Sequence, residues 1–373
     1  MAKRDNKGII RNLLEGADIR IGGNKPWDIQ VHNPNLYNRL LAGGSLAAGE
    51  SYMDGWWDCE ALDQFFYKIF SAQLEYKIKR QKNVMWASLI AKLTNPQKKS
   101  NAFEIGERHY DRGNNLYKHM LDKRMVYSCG YWDKAENLDR AQEAKLDLIC
   151  RKAGLEPGQK VLDIGCGWGS FIKYAAEKYD VKATGVTVSE EQVKLGRKMC
   201  KGLPVDIRLQ DYRDVDEEFD HIISVGMIEH VGYKNYRTFM EVVCRCLKPC
   251  GRLLLQTIGS NISHKSNEPW VSKYIFPNSL LPSAKQITTA AEGLLTLRDW
   301  HSFGTHYDKT LMAWHRNFIA NWEHIKDDYD KRFYRMWCYY LLSFAGSFRA
   351  NKFQLWQIVF THLGAEGEYR CIR

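Results

Sequence analysis

Residues 160–170 read KVLDIGCGWGS, and this stretch decides the fold. Val161, Leu162 and Ile164 form a short apolar run of the kind that fills the centre of a parallel sheet. Asp163 stands near its carboxyl end, and Gly165, Gly167 and Gly169 follow with GxGxG spacing. Glycine there permits positive φ and lets a ligand approach the backbone without meeting a Cβ. A dinucleotide loop would carry GxGxxG and an acid about twenty residues later, on the ribose. Here the next strand, ATGVTVS, runs through Thr187 and carries no acid. The bland alternative is a tight strand–helix turn that binds nothing.

Outward from this loop the α/β alternation is regular. The pattern predicts strand 160–164, a helix from about 169, strand 182–187, a helix from 189, strands 205–209 and 220–225, a helix over 234–247 and strand 251–258. Alternation of this kind implies an α/β fold with a doubly wound parallel sheet. Ligands then bind at the carboxyl ends of the strands. That rule gathers Asp163, the glycine loop, Thr187 and residues 210–212, 226–230 and 256–259 around one crevice. Residues 260–300 interrupt the alternation and read as an insertion, a lid or substrate wall. Residues 308–325 and 328–348 read as aromatic-rich helices, and FQLWQIVFTHL as a last strand on the sheet.

Upstream, DRAQEAKLDLICRKAG is an amphipathic helix ending at Gly154, and VYSCGYW suggests an exposed loop. Residues 1–95 read as a smaller, mainly helical domain, 96–104 as a linker and 105–373 as the catalytic domain. Within the first, a hairpin is expected around Gly22, Gly23 and Asn24. A helix opens at Asn33-Pro34 and stops at Gly43-Gly44, and ALDQFFYKIFSAQLEYKI is a further helix. GESYMDGWWDC reads as a packing or interface element.

Composition limits the partners. The 373 residues carry a net charge of +10, which favours a polyanionic partner, either nucleic acid or an anionic membrane surface. Solubility alone would also account for it. No apolar run reaches the length of a transmembrane helix. With no signal peptide legible, the ten cysteines are expected to be reduced thiols in a cytoplasm. Cys244, Cys246 and Cys250 do not have a recognised zinc spacing, so no metal is expected.

The VLDIGCGWG form resembles the first motif of class I S-adenosylmethionine (SAM) methyltransferases. The likeness then widens: GESYMDGWW, ERHYDRGNNLY, YSCGYW, GVTVSEEQ, LQDYRD, SVGMIEHVG, TIGS, KYIFPN and YDKTLMAWH resemble bacterial cyclopropane-fatty-acyl-phospholipid synthases along nearly the whole chain. The resemblance implies a Rossmann-like sheet behind a helical, lipid-engaging N-terminal domain. It implies methyl transfer from SAM to a cis double bond of a phospholipid acyl chain, then proton loss to a bound bicarbonate and ring closure. A homodimer is implied as well, cytoplasmic and peripheral on the inner face of the membrane, with the bilayer and not nucleic acid as partner.

The resemblance assigns Cys129, Glu229, Gln256, Ile258 and Tyr307 to the bicarbonate site. Glu229 would accept the bicarbonate hydroxyl proton and Tyr307 would donate, while Cys129 and Ile258 would act through backbone N–H groups. For SAM it assigns Tyr127 and Ser128 to the amino-acid end, with Asp163, Gly165 and Gly167 beside the ligand, Thr187 and Gln192 on the ribose, and Asp211 and Tyr212 flanking the adenine. Two departures stand out: relatives commonly have histidine at Gln256, and some have cysteine at Phe344. A glutamine NH2 still donates to an anion but cannot titrate.

The chemistry fits such surroundings. An alkene is a poor nucleophile, and its methylation leaves a carbocation that water would capture, so a dry site with aromatic faces is needed. Two rivals remain open. One is a SAM methyltransferase acting on another lipid or a small molecule, for which His230 would be the base to consider; its one-residue offset from Glu229 is expected to turn it to another face. The other is a basic membrane- or RNA-binding protein without catalysis.

Overall fold

The structure, a computed structural model, describes residues 6–74 and 114–373. The expected linker at 96–104, the ERHYDRG part of the quoted motif and the end of the EYKI helix lie outside the described residues.

The N-terminal unit is mainly helical, with helices Asn6–Glu15, Leu36–Met53 and Leu62–Ser71. Its only ladder among the described residues joins β1 (Gln30–Val31) to β2 (Trp57–Asp58), antiparallel. The hairpin expected around Gly22 to Asn24 does not form. The chain doubles back there, but Ile21 and Ile29 make one isolated parallel bridge. The buried Asp28 carboxylate explains this: it accepts the N–H of Arg20 at 2.7 Å and of Lys25 at 2.9 Å, so the side chain stands where a ladder would. Gly43-Gly44 does interrupt its helix as expected: Gly44 takes φ 55, ψ −133, outside helical space, and a second helical run follows it as far as Met53.

The catalytic unit is one seven-stranded sheet. Its strands are β3 (Lys160–Ile164), β4 (Lys182–Thr187), β5 (Val205–Leu209), β6 (Phe219–Val225), β7 (Leu247–Ser260), β8 (Leu295–Ser302) and β9 (Phe353–His362). They lie in the order β5-β4-β3-β6-β7-β9-β8. β3 pairs in parallel with both β4 and β6, so chain order reverses between β3 and β6. That reversal opens the crevice for a ligand. The sheet is not wholly parallel: β9 runs antiparallel to both β7 and β8. The insertion is also shorter than 260–300, because 284–291 is a helix and β8 follows it. In LTLRDWHS only Leu295 and Asp299 are fully buried, so its apolar pattern is too weak to read as a strand. VYSCGYW is a loop, but a buried one: Cys129 is 0% exposed, and Gly130 N–H and Trp132 Nε1 both donate to Thr310 Oγ1, at 3.0 and 2.9 Å.

The two units are fastened through the insertion and the late helix Lys331–Arg349. Trp270, buried, lies over Gly49, where a Cβ would come within 2.4 Å of the indole. Glu50 accepts from Lys273 Nζ at 2.7 Å and Tyr274 Oη at 2.8 Å. Arg349 reaches Asp63 at 2.7 Å and grips Asp308 with two bonds of 2.9 Å. The GESYMDGWWDC stretch is thus a packing element. Trp270→Ala is expected to lower stability by about 3–5 kcal/mol in a urea melt, from lost burial plus the cavity left over Gly49.

Candidate active site

The site grows from the ends of β3, β4, β6 and β7. Gly165, Gly167 and Gly169 all have positive φ, at 82°, 55° and 82°. A Cβ on Gly167 would meet nothing within 4 Å, so the glycine faces open space in a cleft. This cleft, of about 190 Å³, is lined by all nine residues assigned to the cofactor. Thr187 Oγ1 donates to Gln192 Oε1 at 2.7 Å, a pair standing where a ribose-binding acid would be expected. Asp211 is tied to Arg213 at 2.7 Å, and Tyr212 is buried beside it. Burial pushes the Asp163 carboxyl up to about 7, with Lys145 opposing the shift.

The five residues assigned to the bicarbonate site line a second cavity of about 750 Å³. Its walls are largely apolar and come from both units, including Leu14, Leu36 and Phe65 from the first and Phe276, Tyr340 and Phe344 from the second. Cleft and cavity share Tyr127, Ser128, Gly226 and His230. The structure therefore gathers every assigned residue at two spaces that touch.

At the junction, Glu229 sits on a single helical turn, Ile228–Val231. Its Oε1 accepts the Ile258 N–H at 2.8 Å. That N–H, expected to hold an anion, serves to aim the carboxylate instead. Glu229 Oε2 is buried with no partner at hydrogen-bonding geometry, although the nearby Thr257 hydroxyl, which donates to Ile258 O, also favours the charged carboxylate. Burial pushes the Glu229 carboxyl up to about 7, against the pull of the Ile258 N–H. Gln256 Oε1 accepts from Gln357 Nε2 at 3.0 Å, which leaves the Gln256 NH2 as the group with donors to offer. The Cys129 thiol donates to Gly130 O and is raised by burial far out of the thiolate range. Cys338, in the late helix, is likewise raised to about 12 by burial.

Two residues, Gln357 and Lys145, escaped the sequence reading, and one that it weighed, His230, was expected to face elsewhere. His230 lines both spaces and is not turned away, because the helix bearing it is one turn long and wedged between them. Gln357 lies opposite Gln256 in the β7–β9 register, a pairing that exists only once β9 is placed. Lys145, 1% exposed, lines the cofactor cleft. Its signal was periodic: 141, 145, 149 and 152 share one face of their helix, and that face is buried.

Residues 97–358 match the mycolic acid cyclopropane synthetase family. The chain is 51% identical to the cyclopropane-fatty-acyl-phospholipid synthase of Escherichia coli K12 over 98% of its length and 95% of that protein. It is 31% identical to the tuberculostearic acid methyltransferase of Mycobacterium tuberculosis, covering 88% of the chain and 81% of the relative. Among solved structures, a mycolic acid cyclopropane synthase complexed with SAH and CTAB superposes with TM-score 0.65 at 30% identity, over 69% of this chain and 97% of that one. Coclaurine N-methyltransferase, at TM-score 0.69 and 21% identity over 84% and 98%, shares the fold.

Gly167→Leu would place a side chain in the cleft and strain a positive φ. The expected outcome is loss of SAH binding by calorimetry, with the cavity side of the protein still folded by circular dichroism.

Proposed function

The chain belongs to the mycolic acid cyclopropane synthetase family, and from that premise we propose that it transfers the methyl group of SAM to the cis double bond of unsaturated acyl chains in membrane phospholipids, with proton loss to bicarbonate and closure of a cyclopropane ring. It is a SAM-dependent methyltransferase acting on lipid. The observation that carries the finer reading is the junction itself: a cleft that presents Asp163, Thr187, Gln192 and Asp211 shares part of its lining with a larger apolar cavity, and an ionisable carboxyl lines the cavity side.

When bound, SAM supplies an electrophilic methyl group. The chain's residues do the rest. The apolar walls hold an acyl chain and keep water from a carbocation. Tyr127, Phe276 and Tyr340 line the cavity, aromatic walls that tolerate positive charge. The unpartnered Glu229 Oε2 fits a small anion that carries a hydroxyl. Glu229, the Gln256 NH2, Tyr307 and the Cys129 N–H would hold bicarbonate, where it would supply a base for the methyl proton.

Access supports the membrane as partner. Among the described residues, no helix is long and apolar enough to cross a membrane. Ile10, Leu13 and Leu41 line the cavity, while Ile9 and Leu41 are exposed beside the exposed Lys7 and Arg11. This face lies against the anionic inner leaflet in our reading, and the enzyme is cytoplasmic and homodimeric, as the resemblance implies. The same resemblance supports the division at 1–95 and 105–373. Anionic vesicles are expected to pull the protein down more than neutral ones, and Leu41→Asp to weaken that binding. Equal pelleting with both vesicle types would sink the docking part.

The decisive assay uses labelled-methyl SAM with vesicles of a cis-monounsaturated phospholipid, and resolves the product by mass and proton NMR. Upfield ring-methylene signals are expected. A branched alkene of the same mass would mean methyl transfer without ring closure. Glu229→Gln is expected to bind SAH normally and lose turnover; full activity would remove Glu229 from the machinery. Because its carboxyl is raised to about 7, Glu229 is protonated below that pH and ionised above it. Wild-type turnover at fixed bicarbonate concentration should therefore rise as pH passes upward through about 7.

A further inference from the structure

Lys145 is a charged side chain where lysine is seldom found. It sits mid-helix in Leu138–Ala153, is 1% exposed, and lines the cofactor cleft. Its Nζ donates to Ser128 Oγ at 3.0 Å. The carboxyl groups that act on it are Asp122 and Asp163, and the neutral Cys129 thiol lies near it. Asp122 is already committed, accepting the N–H of Val126 at 2.8 Å and of Arg124 at 3.0 Å. Asp163 also lines the cleft. An ammonium has three donors, and leaving them unmet in a buried site is costly. A buried cation with donors to spare, beside a buried carboxylate in the same cleft, matches a zwitterion.

We propose that Lys145 recognises the carboxylate at the amino-acid end of the bound nucleoside, directly and by fixing the Ser128 hydroxyl beside it. The inference rests on the SAM reading of the cleft and adds to it the group that selects the amino-acid end. Burial lowers the lysine to about 8, with Asp122 opposing. It is charged at neutral pH and loses its proton as pH rises past about 8.

The test compares equilibrium binding of SAH and of 5′-methylthioadenosine, which keeps the adenosine and thioether but lacks the amino-acid end. Wild type is expected to prefer SAH. Lys145→Met is expected to lose about tenfold or more in SAH affinity, the size of a hydrogen bond to a charged group, and to keep its affinity for methylthioadenosine. An unchanged SAH preference in the variant overturns the proposal. Equal loss of both ligands overturns it too, since Lys145 would then only support the fold. The wild type needs no mutation for a second check: its SAH preference should shrink between pH 7 and pH 9, and a flat preference counts against the proposal. Failure of wild type to bind either nucleoside would instead overturn the cofactor reading, and the proposal with it.

Discussion

Everything in this protein follows from having to bring a charged, water-loving cofactor against a chain that must stay dry. The two environments cannot be mixed, because water at the reacting carbon would capture a cation. They can only be placed side by side. The fold does this by letting the cofactor cleft, which carries the polar side chains, and the larger apolar cavity share four residues, Tyr127, Ser128, Gly226 and His230. Gly226, at φ 66, turns the backbone at the end of β6, just where the cleft gives way to the cavity.

The junction is held by backbone more than by side chains. Gly226 N–H donates to Gln256 O at 2.9 Å, joining the ends of β6 and β7. Two residues on, Ile258 N–H aims Glu229. From the other side, Leu280 N–H donates to the Glu229 carbonyl at 2.7 Å, so the insertion is tied to the same short helix. The insertion in turn carries Trp270, which lies on Gly49. A continuous chain of contacts therefore links the N-terminal wall of the cavity to the carboxyl at its head. That carboxyl gains its raised pKa from burial, so the packing that excludes water also shifts its titration.

Much of this was legible before the fold was known. Apolar runs such as VLDI and the helix ending at Gly154 read correctly because their periods are local and their stops are strong. The assigned residues at the strand ends, such as Asp163 and Thr187, came together because strand ends in a parallel sheet converge by topology. What misled was composition. YSCGYW carries Ser128 and Gly130 and reads as an exposed loop, yet Thr310, 180 positions from Gly130, supplies the acceptor that lets it be buried. β8 was lost inside an apparent insertion because its alternation is weak. Asp28 turned an expected hairpin into a single bridge through bonds that no propensity scale contains.

By itself, then, the order of residues determined the sheet's central strands and the glycine loop at the switch point. These depend on local period and on residues with few alternatives. Only the tertiary structure decided that Glu229 and His230 both reach the junction, that Gln357 orients Gln256, and that Lys145 is buried in the cleft. Each of those depends on partners distant in sequence, and burial, which sets both pKa and hydrogen-bond demand, is a property of the packed whole.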